Sequence, residues 1–203
     1  MSETLLSRTG YVCAPYLHNH ESINLKEEWT NSKNIENMYF ATATFSNDSK
    51  PYFLESSNHY LLAKFNDDQT IHSKIKNHLQ DKISFIFNIE NDLFQREVWG
   101  KMNFISIYYL EYNESEEDFG EIASILAKRD KVGRAGIGNM NIYCKIPPKF
   151  TFPYSGNIVV LEVSSEKSHQ SVNKYCEATR KDVSRKGLTM TSLMSLSILE
   201  KLK

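Results

Sequence analysis

Between residues 39 and 107 the chain alternates short apolar segments with polar turns, and one helical segment interrupts the series. The apolar segments are rich in Tyr, Phe, Ile and Thr, which favour β-strands. We predict strands at 39–45, 52–57, 60–65, 83–88 and 96–102. Short strands joined by tight turns, with few helices between them, indicate an antiparallel barrel and argue against a parallel α/β sheet.

The rest of the chain supplies one more helix, two closing strands and a tail. Apolar residues recur at helical spacing in 119–129, and segments 140–146 and 157–163 have the pattern of strands. Between helix and strand, Gly133, Gly136 and Gly138 indicate a flexible loop. We therefore predict a mainly β (α+β) protein with flanking helices. Its parts are a lead-in at 1–36, a six-stranded antiparallel barrel domain at 37–163, and a C-terminal helical extension at 164–203 with a helix at 184–202.

Composition limits which kinds of partner and which cellular compartment we expect for this chain. The 24 basic and 25 acidic side chains nearly cancel, so nothing in the net charge favours nucleic acid or an anionic membrane. The three cysteines are far apart and form no Cys-x-x-Cys pair, which favours a reduced compartment. We found no signal sequence and no membrane-spanning run, and we predict a cytoplasmic protein. His18, His20 and Glu21 have chelating spacing, but nothing else completes a metal site, and we predict none.

The segment 70–79 carries the chemistry that the sequence suggests. If a helix begins near Ile71, its free backbone N–H groups, the Ser73 hydroxyl and the Lys74 ammonium suit a phosphate dianion. The alternative is a solvated amphipathic helix with Ile71, Ile75 and Leu79 packed inward.

The order of these patterns resembles the FMN-binding split barrel of the pyridoxamine 5'-phosphate oxidase-like superfamily. His72-Ser73-Lys74 followed by Asn77 is similar to its haem-utilisation branch. The patterns are a first strand at 40–43, Lys50-Pro51-Tyr52 opening the second strand, His72-Ser73-Lys74 at a helix start, a strand at 83–87, an Arg-x-x-x-Gly strand from Arg96 to Met102, and a closing strand at 142–149.

The resemblance implies a six-stranded split β-barrel that binds FMN, works as a homodimer and acts on a small molecule. Flavin N5 would transfer a hydride or electrons. Ser73 and Lys74 would hold the FMN phosphate, with His72 beside them. Ser56 and Ser57 would contact the isoalloxazine edge, and Arg96 and Trp99 the ring or phosphate.

The sequence also departs from this family. The second strand holds Leu54, Glu55, Ser56 and Ser57 where the oxidase has basic residues, and the tail beyond Val163 is unlike it. Two alternatives to an FMN-dependent oxidoreductase therefore stay open. One is a haem-binding or haem-utilisation protein with His72 as a ligand, and the other is a split barrel that binds a cofactor without catalysis.

Overall fold

The computed structural model describes residues 9–46, 58–66, 68–77, 83–96, 102–111, 124, 126–128, 132–143, 158–181 and 189–203. Its strands are β1 (Thr9–Pro15), β2 (Ile35–Phe45), β3 (His59–Phe65), β4 (Ser84–Gln95), β5 (Phe104–Glu111), β6 (Val132–Tyr143), β7 (Ile158–Val163) and β8 (Thr189–Lys201). Its helices are α1 (His20–Asn31), α2 (Asp68–Asn77) and α3 (Glu166–Lys181). Ser124, Leu126 and Ala127, between β5 and β6, are also helical.

The strands close into one antiparallel barrel of eight, in the order β1-β3-β2-β8-β5-β7-β6-β4, with β4 paired back onto β1. The mainly β class is as expected, but the prediction of a six-stranded split barrel is wrong. It left out β1 and β8, which lie outside the segment 37–163 that was expected to form the barrel. Without these two strands the sheet has edges, and with them it closes.

The two terminal segments are therefore structural parts of the barrel. Residues 1–36, expected to be a lead-in, contribute β1 and α1, whereas 164–203 contribute α3 and β8. The helix expected at 184–202 is wrong for its described part, because 189–201 form β8. Near its end Leu196 and Ile198 face the core while Ser195 and Ser197 alternate with them, and this period of two is that of a strand.

The barrel consists of two halves with the same topology. The N-terminal half (9–95) runs β1-α1-β2-β3-α2-β4, and the C-terminal half (104–201) runs β5, the helical residues near 124–127, then β6-β7-α3-β8. Their spatial orders, β4-β1-β3-β2 and β8-β5-β7-β6, are equivalent. Sequence inspection had revealed no internal repeat, so this two-fold repeat is visible only in the structure.

Irregularities in pairing confirm that the halves share a register. β2 has an extra residue between Ile35 and Asn37 opposite β3, and β6 has one between Val132 and Arg134 opposite β7. Matched by these bulges and by the β1–β3 and β5–β7 pairings, Lys64 corresponds to Glu162. Residues along the β1–β3 pairing thus have counterparts along the β5–β7 pairing.

Apolar side chains form one core inside the barrel and one beneath each helical layer. The interior core contains Tyr11, Phe85, Phe87, Ile105 and Leu196, all fully buried. A second core lies under α1 and α2, and a third lies under α3. Strands covered on both faces are buried at consecutive positions, and β1 is the clearest example.

The glycine-rich segment 133–138, expected to be a loop, is the first part of β6. A Cβ on Gly138 would lie 1.7 Å from the carbonyl oxygen of Asn88, and one on Gly136 would lie 2.6 Å from Cγ2 of Ile89. Glycine is required there because β4 approaches too closely for a side chain.

Candidate functional site

Three of the residues predicted to bind a cofactor lie together in the body of α2. The helix begins at Asp68, earlier than the sequence suggested, so Ser73 and Lys74 lie beyond its first turn. The Ser73 hydroxyl donates to the carbonyl oxygen of Thr70 at 2.8 Å. Lys74 Nζ lies 3.6 Å from Glu28 Oε1 on α1. The hydroxyl and the ammonium thus already have partners within the protein.

His72 and Arg96 lie at opposite ends of β6. The His72 ring bonds to the hydroxyl of Tyr143, the last residue of that strand. Arg96 Nε donates to the carbonyl oxygen of Val132, the first residue, at 2.9 Å. A strand of this length separates its ends by on the order of 30 Å, so one flavin phosphate cannot contact the His72 and Arg96 side chains of the same chain. Ser56, Ser57 and Trp99 lie outside the described residues.

A concave surface of about 480 Å³ lies between α3, β8 and the end of β2, and we call it the α3 cleft. His169 and Asn173 line it from the helix, one turn apart. Val172 and Cys176 share that face of α3 and are buried against the sheet. Apolar anchoring therefore fixes the helix, and the two polar side chains are placed where the cleft meets the sheet.

The His169 ring is held on three sides. It stacks on Phe104 with ring centroids 5.4 Å apart and planes 5° from parallel. Its Nδ1 lies 2.8 Å from Ser106 Oγ, and its Nε2 lies 3.2 Å from Asn173 Nδ2. Tyr108 in turn donates its hydroxyl to Asn173 Oδ1 at 2.6 Å. Ser106, Tyr108, Asn173 and His169 thus form a continuous hydrogen-bonded network from β5 to α3.

The hydrogen bonds specify the tautomer of His169. Because Asn173 Oδ1 accepts from Tyr108, its amide nitrogen is the group that donates to Nε2. The neutral ring then carries its proton on Nδ1 and donates to Ser106 Oγ. Burial lowers the pKa of His169, against a smaller opposing effect of Glu166, and so favours this neutral form. A neutral, oriented imidazole is suited to accept a proton at Nε2.

The buried Cys176 thiol and Tyr108 phenol near the cleft stay neutral at physiological pH. Burial raises the pKa of the Cys176 thiol to about 12, so it is not a ready nucleophile. Burial also raises the pKa of Tyr108 well above its usual value. Ser106, with 1% exposure, is too deeply buried to attack a ligand. Among these buried groups, His169 is therefore the one suited to acid–base chemistry.

A second polar cluster lies inside one end of the barrel, around Glu162. Its carboxylate accepts a hydrogen bond from the Tyr11 hydroxyl and lies 3.7 Å from both Lys64 Nζ and Arg134 Nη1. Arg134 also binds Asp92 through two hydrogen bonds of 2.6 and 3.2 Å. Burial, followed by the charge of Glu162, raises the pKa of Tyr11. Both cations already have acidic partners, so this cluster links opposite strands and does not provide an anion site.

Reading the sequence alone missed the whole α3 network. His169, Val172, Asn173 and Cys176 follow the spacing of one helical face, and that pattern was the available signal. Their partners Ser106 and Tyr108 are on a strand more than sixty residues away, which no local pattern connects to them. Among the described residues, no group of three His, Cys, Asp or Glu side chains could hold a metal ion.

Comparison with known proteins does not assign the chain to a family. No family model and no curated protein matches the chain. A solved structure described as an anthrone oxidase-like protein is similar to it, with 7% sequence identity, a TM-score of 0.42 and coverage of 99% of this chain and 94% of that chain. Likeness at this level transfers neither a family nor an activity. None of the helices in the described part of the chain is long and apolar enough to cross a lipid bilayer.

Proposed function

We propose that the chain binds a small, uncharged, hydroxyl-bearing molecule in the α3 cleft, and that His169 is the proton acceptor there. The observation that carries this proposal is the neutral His169 ring, oriented by Phe104, Ser106 and Asn173 at the wall of the cleft. A recessed site with convergent polar groups and one histidine of perturbed pKa is the arrangement expected of a ligand or catalytic site.

The lining of the cleft supports an uncharged ligand. Besides His169 and Asn173, the described lining residues include hydroxyl, apolar and thiol side chains and one carboxylate, but no lysine or arginine: Thr44, Phe45, Ser46, Cys176, Glu177, Met190, Thr191, Ser192 and Ser195. A phosphate or carboxylate ligand would meet Glu177 without a described lining cation to compensate for its charge. Hydroxyl groups of a ligand, in contrast, find donors and acceptors on several sides.

His169 would act on such a ligand through Nε2. A ligand hydroxyl would take the place of the Asn173 amide, which makes the longer of the two hydrogen bonds to the ring. If the hydroxyl transfers its proton, the imidazolium formed keeps its Nδ1–H bond to Ser106, and that bond stabilises the charged ring.

A fragment screen observed by protein NMR tests the proposal. We expect neutral polyols, phenols or sugars to shift resonances of α3 and β8, and phosphorylated analogues to bind more weakly. His169→Ala should lose this binding, whereas Gln170→Ala, an exposed change on the same helix, should keep it. Binding that persists in His169→Ala, or fragments that shift no residue of the cleft, would contradict the proposal.

The FMN-dependent oxidoreductase remains a prediction from the resemblance, as do haem binding and the homodimer that it implied. The closed barrel and the position of Ser73 and Lys74 within α2 add no support to that resemblance. Absorption titrations with FMN and haem test it directly. Tight FMN uptake that is lost in the Ser73→Ala, Lys74→Ala double variant would establish the site, and a Soret band lost in His72→Ala would establish haem.

A further inference from the structure

The most exposed large apolar side chains of the described residues are gathered at one surface. Leu17, Ile23 and Leu199 are 38, 44 and 56% exposed. Leu17 and Ile23 flank the start of α1, beside Tyr16. Leu199 is the extra residue of the β8 bulge, opposite Phe40. Such grouping, unlike scattered exposed leucines, is typical of an interaction surface.

The rings of Tyr16 and Phe40 lie between the start of α1 and the bulge that contains Leu199. Tyr16 packs edge-on against Phe40 with ring centroids 5.3 Å apart, and against His18 at 4.5 Å. Tyr16 also lines a groove of about 260 Å³ along α1, together with Ile23, Lys26 and Glu27. We call the surface formed by Tyr16, Leu17, Ile23, Lys26, Glu27 and Leu199 the α1 face.

The loop that carries Leu17 is fixed in shape. The Leu17 amide donates to Ser22 Oγ at 3.1 Å, and the Ser22 amide donates to the Asn19 side chain at 2.9 Å as the N-terminal cap of α1. His18 has a φ of 54°, a left-handed conformation that is unfavourable for a residue with a side chain. Leu17 is therefore presented in a single position, and little conformational freedom is lost when a partner covers it.

The charges of the α1 face indicate what that partner is. Lys26 and Glu27 are adjacent, lie in the middle of the helix, and have no ion-pair partner among the described residues. Residues 23, 26, 27 and 30 form one helical stripe. When two such stripes meet antiparallel across a two-fold axis, Lys26 of each copy faces Glu27 of the other, and the apolar side chains are covered at the same time.

We infer that the α1 face is the contact surface for a second copy of this chain, with the α1 helices antiparallel and the two-fold axis between Lys26 and Glu27. In a symmetric contact of this kind, each residue of the α1 face contributes to the interface once from each copy. A partner of another sequence would need an acidic residue facing Lys26 and a basic residue facing Glu27. A second copy of this chain, placed antiparallel, supplies both.

Charge reversal tests this geometry on the full-length chain. Analytical ultracentrifugation over a range of concentrations should show a dimer. Lys26→Glu should weaken it at least tenfold, because two glutamates then face Glu27 residues. The double variant Lys26→Glu, Glu27→Lys should restore it, since adjacent helical residues barely interact within one chain. Lys167→Glu, on the exposed side of α3, is the matched control and should leave the dimer unchanged.

Ile23→Glu should also yield a monomer, with circular dichroism confirming that it folds. A wild-type chain that is monomeric at every concentration would overturn the inference. So would a dimer that ignores Lys26→Glu, or a double variant that fails to restore association, since either result places the contact elsewhere or assigns the α1 face to a different partner.

Discussion

The two halves of the barrel share their strand order and one bulge, but they bury different side chains beneath their helices. In the N-terminal half Val12 and Ala14 of β1 pack beneath the helices in an apolar core. Their counterparts on β5 are Ser106 and Tyr108, and both are hydrogen-bonded to α3. The β1 side chains beneath the N-terminal helices are apolar, whereas the C-terminal half holds a directed polar network around His169.

This difference shows where a specific site has replaced packing. A buried polar network is tolerated only when its groups have hydrogen-bond partners. Because the network occurs in only one of two equivalent positions, the fold does not require it. The apolar half demonstrates that the same backbone can close without it. The polar half is therefore the place to look for function, since function resides in sites placed on a fold.

The largest effects should come from the shared interior. Phe87 and Leu196 are equivalent and fully buried, facing Tyr11 and Ile105 respectively. Phe87→Ala should destabilise by about 3–5 kcal/mol and Leu196→Ala by about 2–5 kcal/mol. Because the barrel is closed, we expect one cooperative transition in denaturant. Both tryptophans precede β5, so tryptophan fluorescence that does not respond to Leu196→Ala would show that the halves unfold separately.

The next effect concerns the charge pair where the halves meet. Lys64 and Glu162 are counterparts, and their side chains lie 3.7 Å apart across the barrel. Glu162→Ala should cost about 2–4 kcal/mol, because it leaves Lys64 without this partner and removes one partner of Arg134. The double change Lys64→Met, Glu162→Leu should cost less than Glu162→Ala alone. If denaturation experiments show the same loss of stability in the single and the double variant, the Glu162 carboxylate acts mainly through its hydrogen bond with Tyr11.

A smaller effect tests the polar network. Tyr108→Phe should destabilise by about 1–2 kcal/mol, because Asn173 Oδ1 loses its donor. Adding Asn173→Leu should recover part of that loss, since it makes the C-terminal half resemble the apolar N-terminal half. Thermal unfolding of the two variants gives the comparison, and an unchanged stability in Tyr108→Phe would indicate that water replaces the hydroxyl.

The smallest expected effect is the pH dependence of stability that His169 contributes in the C-terminal half. Burial lowers the pKa of His169, so the unfolded chain binds a proton more readily than the folded one. The contribution of His169 to stability is complete above the pKa that it has in the unfolded chain. This contribution is lost as pH falls from there through the lower pKa that His169 has in the folded chain. His169→Gln should therefore flatten the wild-type decline in stability on acidification. An unchanged slope in denaturation curves at several pH values would show that His169 does not titrate on unfolding.

Sequence patterns located several elements because each of these carries its own local signal. Strands β2, β3, β4 and β7 overlap the predicted segments, and Leu126 lies buried and helical within the predicted helix at 119–129. The strand β1 was missed for a physical reason. Tyr11 and Cys13 face the interior while Val12 and Ala14 face the helices, so no alternation of apolar and polar residues appears.

The sequence by itself determined the mainly β class and the positions of several strands, because these depend on residues close together along the chain. Tertiary structure alone decided that the barrel closes with eight strands, that its halves repeat, and that Ser106, Tyr108, His169 and Asn173 meet. Closure and register depend on pairing between strands far apart in sequence. The composition of a segment says which faces it must bury but not which distant strand will cover them.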